Sequence, residues 1–182
     1  MSPFTVCVFC GAKAGARPRY AEAARQLGSR LGARGLGLVY GGGQVGLMGV
    51  LADAALAAGT AVTGILPEGL ASAEVAHRGL SELILTAGLH QRKAAMAARA
   101  QAFVALPGGF GTLDELFEAL TWQQLGLHSR PVGLLDVDGY FTALLQFLDN
   151  ALDAGFLSPH DRARLVTHAD ADALLDALGA PS

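Results

Sequence analysis

Apolar and polar positions along the chain switch repeatedly between two periods. Short apolar or β-branched runs occur at Phe4–Cys10, Leu36–Tyr40, Ala61–Leu66, Leu83–Thr86, Ala102–Leu106 and Pro131–Val137, with a weaker one at Arg164–Thr167. Between them the spacing is helical, over Pro18–Arg34, Met48–Ala58, Leu89–Gln101, Leu113–Leu125, Tyr140–Ala154 and a tail segment, Ala171–Leu178. Such βαβα alternation predicts a Rossmann-like, three-layer α/β fold, a mostly parallel sheet flanked by helices. Ligands in these folds sit at the carboxyl ends of the strands, where the strand order reverses. The chain has no internal repeat, long linker or low-complexity tract, so residues 1–182 are expected to form a single nucleotide-binding catalytic domain.

Composition narrows the partners. The 182 residues are 52% hydrophobic, enough for one sizeable core, and only 7% aromatic, which favours close-packed α/β layers over a sandwich. A formal charge of −3 and a pI near 5.9 leave no basic footprint for nucleic acid or a membrane surface. Mean hydropathy is high at +0.38, and Gly35–Ala52 runs without a charge. Its seven glycines and Gln44 read better as strand, turn and helix start than as a membrane span. The first residues lack a basic region and a long apolar stretch, so no secretory signal is read there and a soluble, cytoplasmic protein is expected. Cys7 and Cys10 have C-x-x-C spacing, but within a strand they point to opposite faces and no second pair completes a zinc site. They are read as core thiols, and no metal site is expected.

Two glycine-rich turns follow strands and open at the functional edge. In "VYGGGQVGLMG", Gly41-x-Gly43-x-x-Gly46 matches the dinucleotide fingerprint formally. The acidic residue that would take a ribose hydroxyl is missing at its usual distance; Glu68 comes late and directly after Pro67, which disfavours NAD or FAD. The turn is either a close-packed strand–helix junction or a place where Gly42 and Gly43 let a phosphate or sugar approach the backbone. The second turn is "LPGGFGTLDE". Pro107 ends a strand, Gly108, Gly109 and Gly111 free the backbone, and Thr112 stands where a helix N-cap belongs. Helix-start amides there favour an anion such as a phosphate. Thr112-x-x-Glu115 is also a capping box, so Glu115 is open to a structural or a catalytic role. Upstream, Arg92, Met96 and Arg99 share one helix face; Arg92 lies near the helix start, where a cation opposes the dipole and needs another partner.

With "VCVFCGA" and "LVYGGGQVGLMG" upstream, "RKAAMAARAQAFVALPGGFGTLDELFEALTWQQLG" resembles the Lonely Guy (LOG) family of cytokinin riboside 5′-monophosphate phosphoribohydrolases, many of which carry the label of lysine decarboxylase. The likeness spans about Thr5 to Phe156, with the PGGxGTxxE signature matched by Pro107 through Glu115. It implies a homodimer, or an assembly of dimers, that cuts the N-glycosidic bond of a nucleoside 5′-monophosphate without a cofactor. It makes Arg92 and Glu115 the catalytic pair and gives the phosphate and ribose to Gly108, Gly109, Gly111 and Thr112, with Gly42, Gly43 and Lys93 alongside. The chain departs from the family pattern at Ala12 and Lys13, where serines are common, at Leu89-His90-Gln91 before Arg92, and at Gln101. Those departures bear on substrate preference, prenylated adenine against adenine.

Remaining polar residues carry less. His128, His160 and His168 form no metal-ligand pattern and are read as structural; His77, His90 and Glu74 are candidates for the pocket or an interface. Trp122 and Phe117 are expected in the core or a dimer seam. Two rival functions stand beside the hydrolase. A nucleotide or cofactor carrier of similar fold would not need both Arg92 and Glu115. A decarboxylase would need pyridoxal phosphate on Lys13 or Lys93, the chain's two lysines.

Overall fold

The computed structural model describes residues 3–70 and 76–181. Seven parallel strands form one sheet in the order β4-β3-β2-β1-β5-β6-β7. They are β1 (Thr5–Phe9), β2 (Gly37–Tyr40), β3 (Val62–Pro67), β4 (Glu82–Thr86), β5 (Ala102–Ala105), β6 (Val132–Leu135) and β7 (Leu165–His168). The helices are α1 (Pro18–Ala33), α2 (Gly46–Ala57), α3 (Leu89–Arg99), α4 (Phe110–Gln124), α5 (Thr142–Asp153), α6 (Pro159–Ala163) and α7 (Ala171–Ala177).

The central strands are apolar on both faces because each face is covered. Val6, Val8, Leu38 and Val104 point into a core closed by α1, α2 and α7. Cys7, Phe9, Val39 and Phe103 point the other way, into a core closed by α3, α4 and α5. Cys7 and Cys10 fall in different cores, both free and buried, which is the strand alternation acting on C-x-x-C. Helices α1 and α2 approach closely through Gly28 and Gly32: a Cβ on Gly28 would lie 2.5 Å from the Leu51 carbonyl oxygen, and one on Gly32 would overlap Ala58. Gln101, a departure from the family pattern, has a local task, accepting the Thr5 N–H at 2.6 Å where β1 begins.

Two helix starts beside the cleft, and one short helix, differ from the sequence reading. Helix α2 starts at Gly46, before Met48. Helix α4 starts at Phe110, so Thr112 is inside it and Gly109 is the N-cap, without a side-chain cap bond. The first turn of a helix makes few internal bonds, so Phe110 and Gly111 enter at little cost. The short α6 was absent from the sequence reading, though Ser158 caps it by accepting from the Asp161 N–H and Pro159 follows at its first position. Among the described residues no helix is long and apolar enough to cross a membrane.

Candidate active site

Strand order reverses at β1, which lies between β2 and β5. The loops after β1 and β5 therefore part at the carboxyl edge of the sheet and leave a crevice. A cleft of about 640 Å³ opens there, bounded by Gly11–Gly15, Gly41, Met48, Arg92, the turn Pro107–Thr112 and Glu115, with Tyr20 and Tyr140 at its wall.

Glu115 lies one turn into α4 and is buried, 8% exposed. Arg92, on α3, reaches it across the crevice floor: Nη1 donates to Glu115 Oε1 at 2.7 Å while Nε donates to the Ile65 carbonyl at 2.9 Å. Anchored at the end of β3 and at α4, the guanidinium has little freedom. Gly41 makes room for it, since a Cβ there would overlap Arg92 Nη2 and lie 3.1 Å from Met48 Sδ. Burial pushes the Glu115 carboxyl upward; the Arg92 charge pulls it back, and the net shift stays upward.

The capping box does not form. Glu115 gives its carboxylate to Arg92, and α4 has no side-chain cap. The first backbone bond of α4 runs from the Leu113 N–H to the Gly109 carbonyl at 3.1 Å. The amides of Phe110, Gly111 and Thr112 thus lack helical acceptors and sit at the positive end of a helix of 15 residues, beside the cleft. Gly108 allows Thr112 to close against this turn, because a Cβ on Gly108 would overlap the Thr112 hydroxyl. Tyr140 Oη donates to the Gly108 carbonyl at 2.6 Å and steadies the turn from the α5 side.

Of the sequence-predicted site residues, Arg92, Glu115, Gly108, Gly109, Gly111 and Thr112 converge on the cleft. Three do not line it. Gly42, with φ of +76°, packs against Ile65 and Leu66, and its carbonyl accepts the His77 N–H at 2.9 Å. The Gly43 carbonyl accepts from Tyr40 Oη at 3.0 Å, and Gly43 bridges to Ala76. Of that turn's glycines it is Gly41, the first of the fingerprint match but not one expected to meet the phosphate or sugar, that borders the cleft. Lys93 projects elsewhere, with Nζ 3.0 Å from Asp114 and 3.1 Å from Glu118. Residues adjacent on a helix point in different directions, so an Arg-Lys pair cannot serve one pocket together.

Most of the other described candidates make structural contacts. His77 is buried; its Nε2 is 2.9 Å from Asp53 and its Nδ1 accepts the Gly79 N–H at 3.1 Å, which ties residues 77–79 to α2. His90 is exposed and outside the cleft lining, and Glu74 lies outside the described residues. His128 packs at a tilt against Phe103, and burial together with Arg130 lowers its affinity for a proton. Phe117 and Trp122 pack, partly buried, on the α3–α4–α5 core. Cys10 borders the cleft, but burial and the Glu115 charge push its thiol far upward and keep it protonated. Among the described residues no group of three His, Cys, Asp or Glu side chains converges.

Comparison with known proteins points one way. Residues 48–178 match the family model described as "Possible lysine decarboxylase". The chain is 51% identical over 170 residues, 93% of its length and 78% of the relative's, to cytokinin riboside 5′-monophosphate phosphoribohydrolase LOG7 of Arabidopsis thaliana. It is 48% identical over 172 residues, 94% of its length and 82% of the relative's, to the probable enzyme of that name, LOGL3, of Oryza sativa subsp. japonica. Among solved structures, the molybdenum cofactor carrier protein of Chlamydomonas reinhardtii superposes with a TM-score of 0.74 at 25% identity, covering 98% of this chain and 97% of that one. The molybdenum cofactor binding protein of Rippkaea orientalis, at 23% identity and a TM-score of 0.74 over 98% of this chain and 97% of that one, shares the fold.

Proposed function

Since the chain belongs to the LOG family of cytokinin riboside 5′-monophosphate phosphoribohydrolases, we propose that it hydrolyses the N-glycosidic bond of adenosine 5′-monophosphates, N6-modified or plain, to free base and ribose 5-phosphate. The observation that carries the reading is the Arg92–Glu115 pair, part-buried with Glu115 inside, beside the unpaired amides of α4. The 5′-phosphate docks on the amides of Phe110–Thr112, which holds the ribose with its anomeric carbon towards Glu115. As the bond from that carbon to the base breaks, its electron pair leaves with the base and positive charge develops on the ribosyl centre. The Glu115 carboxylate stabilises that charge and orients the water whose oxygen bonds to the anomeric carbon; the proton that this water loses is balanced by the one that the departing base gains. Arg92, too basic to give up its proton easily, positions Glu115 and the nucleotide. The reaction needs no metal or organic cofactor, runs in the cytoplasm, and uses residues 1–182 as one catalytic domain.

Decarboxylation fits the residues poorly. A lysine that forms a Schiff base is activated by losing its proton readily. Burial would favour that in Lys93, but its pairs with Asp114 and Glu118 outweigh burial and hold the ammonium above its ordinary range. The cofactor-carrier reading rests on the fold likeness alone and leaves Glu115, buried against Arg92, without a task. The same proposal makes the protein a homodimer. The large exposed apolar residues on or beside helices include Leu89, Leu125, Leu127 and Phe147 in the α3–α4–α5 layer, while on the other side Val45, at the start of α2, is 48% exposed.

The test is chromatography of purified protein incubated with AMP and with isopentenyladenosine monophosphate. Free base appearing with ribose 5-phosphate, and disappearing in Glu115→Gln, is the expected result. Nucleotide bound tightly without base release would turn the assignment to a carrier.

A further inference from the structure

The loop after β1 brings another cation to the cleft. It is fixed on both sides: the Gly11 N–H donates to the Pro107 carbonyl at 3.1 Å, and the Leu47 N–H donates to the Gly11 carbonyl at 3.0 Å. Gly46 lets the loop lie directly on α2, because a Cβ there would overlap the Ala12 carbonyl and come within 2.6 Å of the Lys13 N. The Lys13 backbone is thus held across the crevice from the turn that opens α4. Its side chain is exposed, borders the cleft, and makes no hydrogen bond or ion pair among the described residues.

The two cations of α3 nearest the cleft are committed. Arg92 is spent on Ile65 and Glu115, and Lys93 on Asp114 and Glu118. The carboxylate of the cleft, Glu115, already has its counter-charge in Arg92. The full positive charges among the residues that line the cleft are Lys13 and Arg92, so a dianionic phosphate arriving at the α4 amides would meet dipoles there and, of that lining, the uncommitted charge of Lys13. Resting on the nucleotide reading, we infer that Lys13 is a specificity residue whose ammonium closes over the 5′-phosphate, opposite the amides of Phe110–Thr112, and selects phosphorylated ligands. A lysine suits this place. The amides fix the phosphate's orientation, and a mobile point charge adds attraction without imposing the planar geometry of an arginine.

The experiment is calorimetric titration of ribose 5-phosphate, which the protein does not cleave, into wild type, Lys13→Ala and Lys13→Arg at low and high salt. Thermal melts of each variant verify folding; the side chain is exposed, so the fold is expected to persist. Lys13→Ala weakens binding about tenfold at low salt, Lys13→Arg restores most of it, and the gap narrows as salt screens the charge. No measurable binding to wild type, equal affinity in wild type and Lys13→Ala, or a loss that ignores both salt and arginine, would each overturn the assignment. Failure of the hydrolase reading is seen separately: Lys13-dependent binding of ribose 5-phosphate with no base released from AMP would sink that reading and leave Lys13 as the phosphate's cation.

Discussion

Glu115 is a carboxylate held where solvent cannot stabilise it, and its burial moves its titration above the ordinary value of 4.5 despite Arg92. The consequences for activity and stability have opposite signs. Catalysis needs the ionised form, so base release falls as pH drops through a value above that of an ordinary glutamate, and a rate–pH profile should place its acid limb there. A carboxyl whose folded-state pKa is raised binds protons more readily in the folded state than in the unfolded one. Its contribution to stability is therefore complete below the unfolded value and is lost as pH rises through the folded one. Glu115→Gln removes that step from a series of urea melts across pH, and lowers turnover by about 100-fold or more. An acid limb at or below the ordinary glutamate range would mean that Arg92 dominates burial. Both members of the pair were legible in the sequence, Glu115 from its signature and Arg92 from an unfavourable place near a helix start. Their contact was not, because it joins residues on separate helices across the sheet edge. Lys93 misled because being next to Arg92 in sequence puts it on another side of α3.

At the scale of elements, glycines decide how closely the layers and turns approach. Gly41→Ala would drive a methyl group into the Arg92 guanidinium and Met48, displacing the arginine from Glu115. A misplacement on the ångström scale costs about 100-fold in rate, so this variant should lose far more activity than melting temperature. Full activity would show that Arg92 need not sit where it does. Gly28→Ala has the reverse profile. Its methyl meets the Leu51 carbonyl and the Ala54 side chain, and forcing α1 from α2 costs about 1–3 kcal/mol, read as a lower urea midpoint with an unchanged slope. The alternation of strands and helices was readable because apolar runs and helical spacing survive any local detail. Helix starts were less so. Thr112 and Glu115 have the spacing of a capping box, yet tertiary contact recruited Glu115 to Arg92 and left Gly109 as the cap. No single stretch of sequence records that competition.

At the scale of the whole molecule, the two helical layers are unlike. Beside the layer of α1, α2 and α7 the exposed apolar side chain is Val45, at the start of α2 and 48% exposed, whereas Leu127, just beyond α4, is 68% exposed and Phe147 on α5 is 63% exposed. Which layer faces water cannot be read from amphipathic spacing, because a helix that meets a second copy carries apolar residues on two sides and looks merely hydrophobic. A homodimer through the α3–α4–α5 layer would cover this surface, and light scattering should then give a mass near twice 18.7 kDa. Leu127→Asp places a charge where the isolated chain already meets solvent, so it leaves the monomer's core untouched. If the layer is the seam, burying that carboxylate opposite its own symmetry copy costs several kcal/mol, and the variant should run at half the wild-type mass with an unchanged circular dichroism spectrum. A variant that keeps the dimer mass would move the seam away from Leu127. A wild type that is monomeric at every concentration would leave the apolar layer exposed and remove the homodimer from the proposal, with the cleft and its Arg92–Glu115 pair still complete within one chain.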